Sequence, residues 1–377
     1  MSGSTQAELE KLLDERILVL DGAMGTTIRG YGLDEAAARG ERFKDNHEDL
    51  LNNGDILTLT RPDIIGDIHK RFYEAGSDIV ETNTFSGTAI SQSDFFVAPP
   101  ADDQRKDPEF YQAVVDDSKL RDLAWELNFE SAQLCRTWAD NIGSDSGRRR
   151  FVAGAIGPLT VSLSVSPDAE DPGFRTVTFD QVHGDYKRQV RALIAGGVDI
   201  LMVETIFDSL NAKAALVAIQ EVLAEDGVSL PIIISAAVGK GGDTLISGQD
   251  ILALWAAVRN CKPLAIGLNC SLGPDLMRPS IEALSAAADT YISAYPNAGL
   301  PDPLSPTGFP YSPEDMEGYT DDFAASGFIN LVGGCCGNTP EHIAAIARAA
   351  ERHAPRAVPK MAPFATPASA DPAPATA

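Results

Sequence analysis

Eight short apolar runs alternate with helical segments along this chain of 377 residues. The runs are continuous rather than broken by a polar residue at every second position, as expected of strands that are covered on both faces. Strict alternation of strand and helix predicts a parallel sheet of the α/β class, and eight such units indicate a sheet closed into a (β/α)8 TIM barrel. The predicted strands cover residues 17–20, 78–80, 151–156, 199–203, 231–236, 264–269, 290–294 and 328–332.

A single barrel domain is predicted for residues 1–354. Within it, residues 97–118 show no hydrophobic period and contain several prolines and acidic residues, so they are interpreted as a surface insertion. A helix is predicted over residues 119–139, followed by a polar turn up to residue 150. Residues 355–377 are rich in proline and alanine, a composition that cannot bury a core and that predicts a disordered tail.

The composition excludes several classes of partner. A net charge of −24 argues against binding to nucleic acid or to an anionic membrane surface. No apolar run approaches the ~20 residues that a membrane span needs, and the first residues lack the pattern of a signal peptide. The 5 cysteines are too few and too irregularly spaced for a disulfide framework. We therefore expect a cytoplasmic enzyme with no nucleic-acid or membrane partner.

Two adjacent cysteines, Cys335 and Cys336, lie on the turn between the last predicted strand and helix. The glycines on both sides permit the sharp bend that would aim both sulfurs at one point. Cys270 ends another predicted strand, and the strands of a TIM barrel end on the same face. The simpler interpretation is that these cysteines are small buried hydrophobic residues. The glycines and the matching position of Cys270 favour a metal site instead.

Three thiolates are soft ligands that favour Zn²⁺ in tetrahedral geometry, and a fourth position left open is typical of a catalytic zinc. A zinc ion with three anionic sulfur ligands is a poor activator of water. It suits a substrate thiol better, because coordination removes the thiol proton and leaves a nucleophilic sulfur. The pattern therefore predicts alkyl transfer onto a substrate sulfur, with Cys270, Cys335 and Cys336 as the catalytic metal ligands.

Polar side chains also end several predicted strands. Asp21 and Glu204 could hold the ammonium group of a thiol amino acid, and backbone N–H groups of the turn at residues 22–26 could hold its carboxylate. Each acid could equally be a helix N-cap or a surface charge. Glu81 ends a strand as well, without an assigned role. The candidate substrate-binding residues are Asp21, Gly22, Ala23, Asn83, Glu204 and Asn297.

Eight short segments together resemble one family. They are LDGAMGT at 20–26, RGERF at 39–43, ETNTF at 81–85, ETIFD at 204–208, LNAK at 210–213, GLNC at 267–270, PNAGLP at 296–301 and GGCCG at 333–337. On these segments the chain resembles the homocysteine S-methyltransferase family, and within it the homocysteine-binding module of the cobalamin-dependent methionine synthases. The resemblance extends from about residue 15 to residue 352.

The resemblance implies a TIM barrel that makes methionine from homocysteine. It implies a zinc ion on Cys270, Cys335 and Cys336, and binding of the homocysteine amino group by Asp21 and Glu204. It also implies that Asn297 occupies the zinc when substrate is absent.

The methyl donor is left open by the sequence. The chain has no Asp-x-His-x-x-Gly cobalamin signature, so we expect methylcobalamin to be carried by a separate cobalamin-binding partner protein, as in a split methionine synthase. One alternative is a cobalamin-independent enzyme that uses betaine or S-methylmethionine. Another is a non-catalytic zinc-bearing subunit that only docks a partner.

Overall fold

The computed structural model describes residues 4–98, 100, 105–305 and 307–359. Its eight parallel strands follow one another in the sheet order β1-β8-β7-β6-β5-β4-β3-β2, which confirms the predicted (β/α)8 TIM barrel. The strands are β1 Leu18–Val19, β2 Ile79–Glu81, β3 Phe151–Ile156, β4 Ile200–Ile206, β5 Ile232–Ala236, β6 Ala265–Asn269, β7 Tyr291–Tyr295 and β8 Leu331–Val332.

The helices of the described part lie outside the barrel or in its loops, and none is long and apolar enough to cross a membrane. They are α1 Thr5–Glu15, α2 Met24–Arg29, α3 Glu35–Arg39, α4 Leu57–Thr60, α5 Pro62–Glu74, α6 Ala89–Phe96, α7 Pro108–Asp116, α8 Ser118–Ser146, α9 Phe179–Gly196, α10 Ser209–Asp226, α11 Ile251–Val258, α12 Pro274–Ala287, α13 Pro313–Ala325 and α14 Pro340–Ala350, with 3₁₀ turns at Gly54–Ile56 and Arg259–Cys261.

Both faces of the strands are buried, which explains the continuous apolar runs. Leu18 and Leu20 belong to a cluster inside the barrel, whereas Val19 between them packs in the layer under the helices. Leu9 and Leu13 of α1 join the interior cluster, so this helix closes the N-terminal end of the barrel. The polar side chains lie at the opposite end of the barrel, at the carboxyl ends of the strands.

Closure of the barrel between β1 and β2 depends on Asp78. Its N–H donates to the carbonyl of Val19 at 2.7 Å, and its Oδ2 accepts the N–H of Val19 at 3.0 Å. The carboxylate is only 1% exposed and is paired with the Arg16 guanidinium at 2.7 Å. A buried charge of this kind requires such partners. β1 and β2 are the two strands at the ends of the sheet order and are not paired with each other. The hydrogen bonds of Asp78 join them, so the barrel is nearly closed.

Part of the segment interpreted as a surface insertion, residues 97–118, is a helix that packs against the core. Residues 108–116 form α7, and Tyr111, Val114 and Val115 on this helix are buried in the main core. The Asp107-Pro108 pair is a helix start, since the Asp107 carboxylate accepts the N–H of Phe110 at 2.9 Å. Residues 99 and 101–104 of the predicted insertion lie outside the described residues.

The predicted turn after residue 139 is wrong, because α8 continues to Ser146 and ends at Gly147 with a left-handed φ of 66°. Ile142, which lies beyond the last residue of the predicted helix, is partly buried against the main core and extends the helix. Tertiary contact here outweighs the weak helix propensity of the polar residues that follow.

The tail does not begin at residue 355 as predicted. Arg356 is 5% exposed, and its guanidinium donates to the carbonyls of Ser285 and Ala288 at 2.6 Å and of Thr290 at 2.9 Å. These carbonyls lie at and just after the end of α12, where a cation is favourable. Residues 360–377 lie outside the described residues, so disorder there stays a prediction.

Candidate active site

A cavity of about 330 Å³ opens at the carboxyl ends of the strands. It brings together residues that are up to 315 positions apart in the chain, from Asp21 to Cys336. Of the predicted site residues, its lining includes Asp21, Gly22, Ala23, Asn83, Glu204, Cys270, Cys335 and Cys336.

The turn that carries Cys335 and Cys336 has no room for side chains at its glycines. A Cβ on Gly333 would lie 2.7 Å from the Cβ of Leu20, and one on Gly334 would lie 2.2 Å from the Cγ of Asn338. Gly337 has a φ of 85°, which disfavours other residues. The glycines predicted to permit the bend are therefore required by close contacts on both sides of the cysteines.

Cys270 reaches the same cavity through a different turn. Cys270 and Ser271 both have a left-handed backbone, with φ of 56° and 55°. Such a conformation costs roughly 1–3 kcal/mol for a residue other than glycine and is concentrated at functional sites. The Ser271 hydroxyl donates to the carbonyl of Val238 at 2.7 Å, which holds the turn in place.

The three sulfurs form one cluster with the dimensions of a metal site. Their Sγ atoms all lie within 4.8 Å of one another, and those of Cys270 and Cys336 are 3.9 Å apart. Zinc–sulfur bonds of about 2.3 Å in tetrahedral geometry place the sulfurs about 3.8 Å apart. Hydrogen bonds from the thiols of Cys270 and Cys335 lower the pKa of Cys336 to about 3, so the cluster already stabilises one thiolate. The donor set and its spacing fit Zn²⁺.

Three neighbouring carboxyl groups, those of Asp21, Glu81 and Glu204, line the same cavity as the sulfurs. The Oδ2 atom of Asp21 accepts the N–H of Glu81 at 3.0 Å, and the carboxyl groups of Glu81 and Glu204 are hydrogen-bonded to each other. Burial, and then the charge of Glu81, raises the pKa of Asp21 well above its ordinary value. Burial also raises the pKa of Glu204 to about 7. A cation that entered this group would relieve the repulsion among its charges.

Glu204 is held toward the cavity by its neighbours. Thr205 has a φ of 53° at an irregularity in β4, and its N–H donates to the Asn269 Oδ1 atom at 3.0 Å. The Asn269 amide donates in turn to the Thr205 hydroxyl at 2.7 Å and to Glu204 Oε2 at 3.4 Å. Asn269 directly precedes Cys270, so one buried side chain links the carboxylate to the sulfur cluster.

The backbone N–H group of Ala23, predicted to bind the substrate carboxylate, already has a partner within the protein. Its N–H donates to the carbonyl of Asn338 at 3.0 Å and is not available for a substrate carboxylate. In the described part of the chain, the N–H groups of Gly22, Met24 and Gly25 make no such bond. Gly22 is itself confined, since a Cβ there would lie 2.6 Å from the same carbonyl. The turn at residues 22–26 therefore offers donors, but Ala23 only shapes it.

The two predicted asparagines occupy different places. Asn83 lines the cavity, but its amide donates to the Gly54 carbonyl at 2.9 Å and to the Thr58 hydroxyl at 3.2 Å, which anchors the loop after β1. Asn297 lies behind the cysteine turn rather than in the cavity lining, and it is 3% exposed. Its Oδ1 atom is buried without a partner in the described part of the chain, which is costly unless a ligand satisfies it.

Sequence reasoning gave no role to Glu81 and missed Asp55, and both line this cavity. Glu81 ends β2 and was visible as a strand-end carboxylate, but its contact with Glu204 could not be read from the sequence. Asp55 lies in a 3₁₀ turn within the long loop after β1, where no pattern marks it. It lines the cavity, accepts the N–H of Ser86 at 2.6 Å, and has its pKa raised to about 7 by burial.

Comparison with known proteins agrees with this architecture. A family model described as homocysteine S-methyltransferase matches residues 18–350. The metallated form of the homocysteine methyltransferase MmuM from Escherichia coli is 19% identical, with a TM-score of 0.63 over 91% of this chain and 98% of that chain. Its oxidized form is 18% identical, with a TM-score of 0.65 over 92% and 99%. At these identities the likeness to the solved structures shows a common barrel fold.

Proposed function

The chain belongs to the homocysteine S-methyltransferase family, and we propose that it acts as a zinc-dependent enzyme that makes methionine. Methyltransferase activity follows from the family, whereas zinc and the methyl donor are our proposal. The observation that carries it is the cluster of three Sγ atoms within 4.8 Å of one another, which lines the same cavity as the carboxyl groups of Asp21, Glu81 and Glu204. Family membership argues against a subunit that only docks a partner.

Cys270, Cys335 and Cys336 would hold the zinc. Their spacing supports this, as does the metallated form of the related MmuM structure. When bound, zinc supplies the positive charge that lets the homocysteine thiol lose its proton at neutral pH. The unpartnered Oδ1 atom of Asn297, beside the cysteine turn, supports its proposed role as a ligand in the absence of substrate.

The acids would orient homocysteine. Asp21 and Glu204 would bind its ammonium group, and Glu81 would strengthen that site by sharing a proton with Glu204. Free N–H groups near Gly22 would receive the substrate carboxylate. Held at both ends, the substrate would point its sulfur toward the cysteines, and such fixed orientation lowers the barrier to transfer.

The transfer itself requires little acid or base chemistry from the chain. A lone pair of the substrate sulfur forms the new bond to the methyl carbon, and the electron pair of the broken bond stays with the donor. The thiol proton has left before this step. Buried side chains in the cavity lining, such as Tyr295, would exclude water from the substrate sulfur.

We infer that the donor is methylcobalamin presented by a separate cobalamin-binding protein or domain. The resemblance of residues 207–213 to the cobalamin-dependent branch supports this. One observation favours a second candidate, a small cationic donor such as betaine or S-methylmethionine. The buried Asp55 carboxyl and the 40% exposed Phe85 ring both line the cavity and would attract a cation.

A transfer assay separates these donors. The full chain, loaded with zinc, is incubated with homocysteine and with methylcobalamin, betaine or S-methylmethionine, and methionine is measured by mass spectrometry. We expect methionine from methylcobalamin, at a rate that rises when a methylcobalamin-binding protein is supplied. Turnover with the small donors alone would move the chain to the cobalamin-independent branch. Equal activity of metal-free and zinc-loaded protein would contradict the role of zinc.

A further inference from the structure

Asp55 lines the active-site cavity but takes no part in the proposed binding of homocysteine. Its Oδ2 atom accepts the N–H of Ser86 at 2.6 Å. In the described part of the chain, no hydrogen bond joins it to Asp21, Glu81 or Glu204. Within the same residues its Oδ1 atom accepts no hydrogen bond, and the carboxyl group forms no ion pair. Because the side chain is only 5% exposed, this unpaired oxygen is costly unless a ligand supplies a donor.

Hydrogen bonds between two loops hold Asp55 in place. The Asn53 amide donates to Gln92 Oε1 at 2.8 Å, and the Gln92 amide donates to the Ser86 carbonyl at 3.0 Å. Together with the bond between Asp55 and Ser86, these contacts tie the loop after β1 to the loop after β2. The unpaired oxygen therefore has a fixed position, and a ligand that binds it does not have to order these loops first.

Phe85 marks this part of the cavity as its mouth. It precedes Ser86, the partner of Asp55, and its ring is 40% exposed although it lines the cavity. A Cβ on Gly157 would lie 2.9 Å from this ring, so the ring packs just after the end of β3. Asn52, on the other loop, is exposed as well. A molecule that lies over the mouth therefore meets one apolar surface and one hydrogen-bond acceptor.

A corrin ring would approach this region from outside the barrel. The ring is too large to enter a cavity of about 330 Å³ together with homocysteine, so it has to lie over the mouth. Only groups on the corrin face that carries the methyl group can then point into the cavity. In methylcobalamin the acetamide side chains of the corrin project from that face, whereas the nucleotide and its phosphodiester project from the opposite face.

A primary amide matches the carboxyl group of Asp55 in either protonation state. Burial raises the pKa of Asp55 to about 7, so near neutral pH the carboxylate and the carboxylic acid are both populated. The carboxylate accepts an amide N–H, and the carboxylic acid donates its proton to an amide carbonyl. The onium groups of betaine and S-methylmethionine, by contrast, are attracted only by the carboxylate and have no N–H to donate.

We propose that Asp55 and Phe85 form a subsite for the methyl donor, in which the unpaired oxygen of Asp55 binds a corrin acetamide while the Phe85 ring packs against the apolar rim of the corrin. This inference rests on the proposed function. No covalent bond is made or broken at the subsite. It fixes the position and orientation of the corrin over the mouth, so that the methyl group points at the substrate sulfur.

Equilibrium binding without homocysteine, so that no transfer takes place, tests the subsite. Isothermal titration calorimetry on the zinc-loaded full chain measures methylcobalamin, methylcobinamide, betaine and S-methylmethionine. Methylcobinamide keeps the corrin acetamides but lacks the nucleotide. The variants are Asp55→Leu, Asp55→Asn and Phe85→Ala, and the control is Asp122→Leu, at an exposed acid of α8 outside the cavity. Zinc content and the Kd for homocysteine check that each variant is folded.

We expect Asp55→Leu to weaken methylcobalamin binding by about tenfold, the effect of one lost hydrogen bond to a charged group. Methylcobinamide binding should weaken by the same factor, because its acetamides are the same. Asp55→Asn should restore most of the affinity, since its amide can still bond both Ser86 and a corrin acetamide. Phe85→Ala should weaken the binding of both corrinoids, and Asp122→Leu should match wild type.

Unchanged affinity of Asp55→Leu for both corrinoids, or no binding of either corrinoid by wild type, would refute the subsite. Weaker binding of betaine or S-methylmethionine by both Asp55 variants, with unchanged corrinoid binding, would also refute it and assign the carboxylate to an onium group. If Asp55→Leu loses zinc or homocysteine affinity through a disturbed loop, Phe85→Ala decides, and unchanged corrinoid affinity of that variant refutes the subsite. The proposed function fails separately, when wild type forms no methionine with any donor.

Discussion

Replacing Glu204 by Gln should make the free protein more stable and its homocysteine binding weaker. Glu204 is 4% exposed and lies beside the carboxyl groups of Asp21 and Glu81. Its ordinary pKa of 4.5 rises to about 7 on folding. At 1.36 kcal/mol for each pH unit, ionising this buried group costs about 3 kcal/mol of stability above pH 7. Gln keeps an oxygen for the Asn269 amide but carries no charge, so this cost disappears.

The sign of the pH dependence follows from the raised pKa. For an acid whose pKa is higher in the folded state, stability is lost as pH rises from the unfolded value of 4.5 to the folded value of about 7. Wild type should therefore lose stability across this interval, and Glu204→Gln should lose about 3 kcal/mol less. Near pH 4 the free energies of unfolding of the two proteins should be alike.

Binding should change in the opposite direction. Loss of one charged hydrogen bond to the substrate ammonium costs about 1.5–3 kcal/mol, or about 10- to 100-fold in Kd. Urea denaturation at pH 5 and pH 8 gives the stabilities, and calorimetry with homocysteine gives the Kd. Glu130→Gln, at an exposed acid of α8, is the control. The reasoning is refuted if Glu204→Gln is no more stable than wild type at pH 8, or if it binds homocysteine with unchanged Kd.

Four other changes have distinct expected outcomes. Cys335→Ala should lose zinc and activity but keep the barrel's circular dichroism, whereas Cys261→Ala, remote from the cluster, should retain about one zinc per chain by elemental analysis. Gly334→Ala should weaken zinc binding and lower the melting temperature, because the added Cβ would lie 2.2 Å from Asn338; an unchanged metal affinity would show that the turn can relax. Arg356→Met should cost about 2–4 kcal/mol of unfolding free energy by leaving buried carbonyls unpaired, without changing the KM for homocysteine. Deleting residues 360–377 should affect neither property, and destabilisation by that deletion would reveal contacts beyond Arg356.

The barrel and the three-cysteine cluster could be predicted from the sequence alone. Eight continuous apolar runs predicted the barrel because strands buried on both faces tolerate few polar residues. The cysteine turn was predictable because glycines flank Cys335 and Cys336 in the sequence. The structure has room only for glycine at these flanking positions. The convergence of these cysteines with Cys270 then followed from the rule that parallel strands end on one face.

Tertiary structure alone decided how the acids meet. Glu81 and Glu204 lie on strands that are not neighbours in the barrel, and the hydrogen bond between their carboxyl groups depends on how those strands approach each other at the cavity. Asp55 enters from a loop whose path has no local signature. Arg356 looked like part of a Pro/Ala-rich tail, yet carbonyls at the end of α12 bind it. A sequence specifies local conformation residue by residue, but a contact between distant side chains exists only once packing has brought their backbones together.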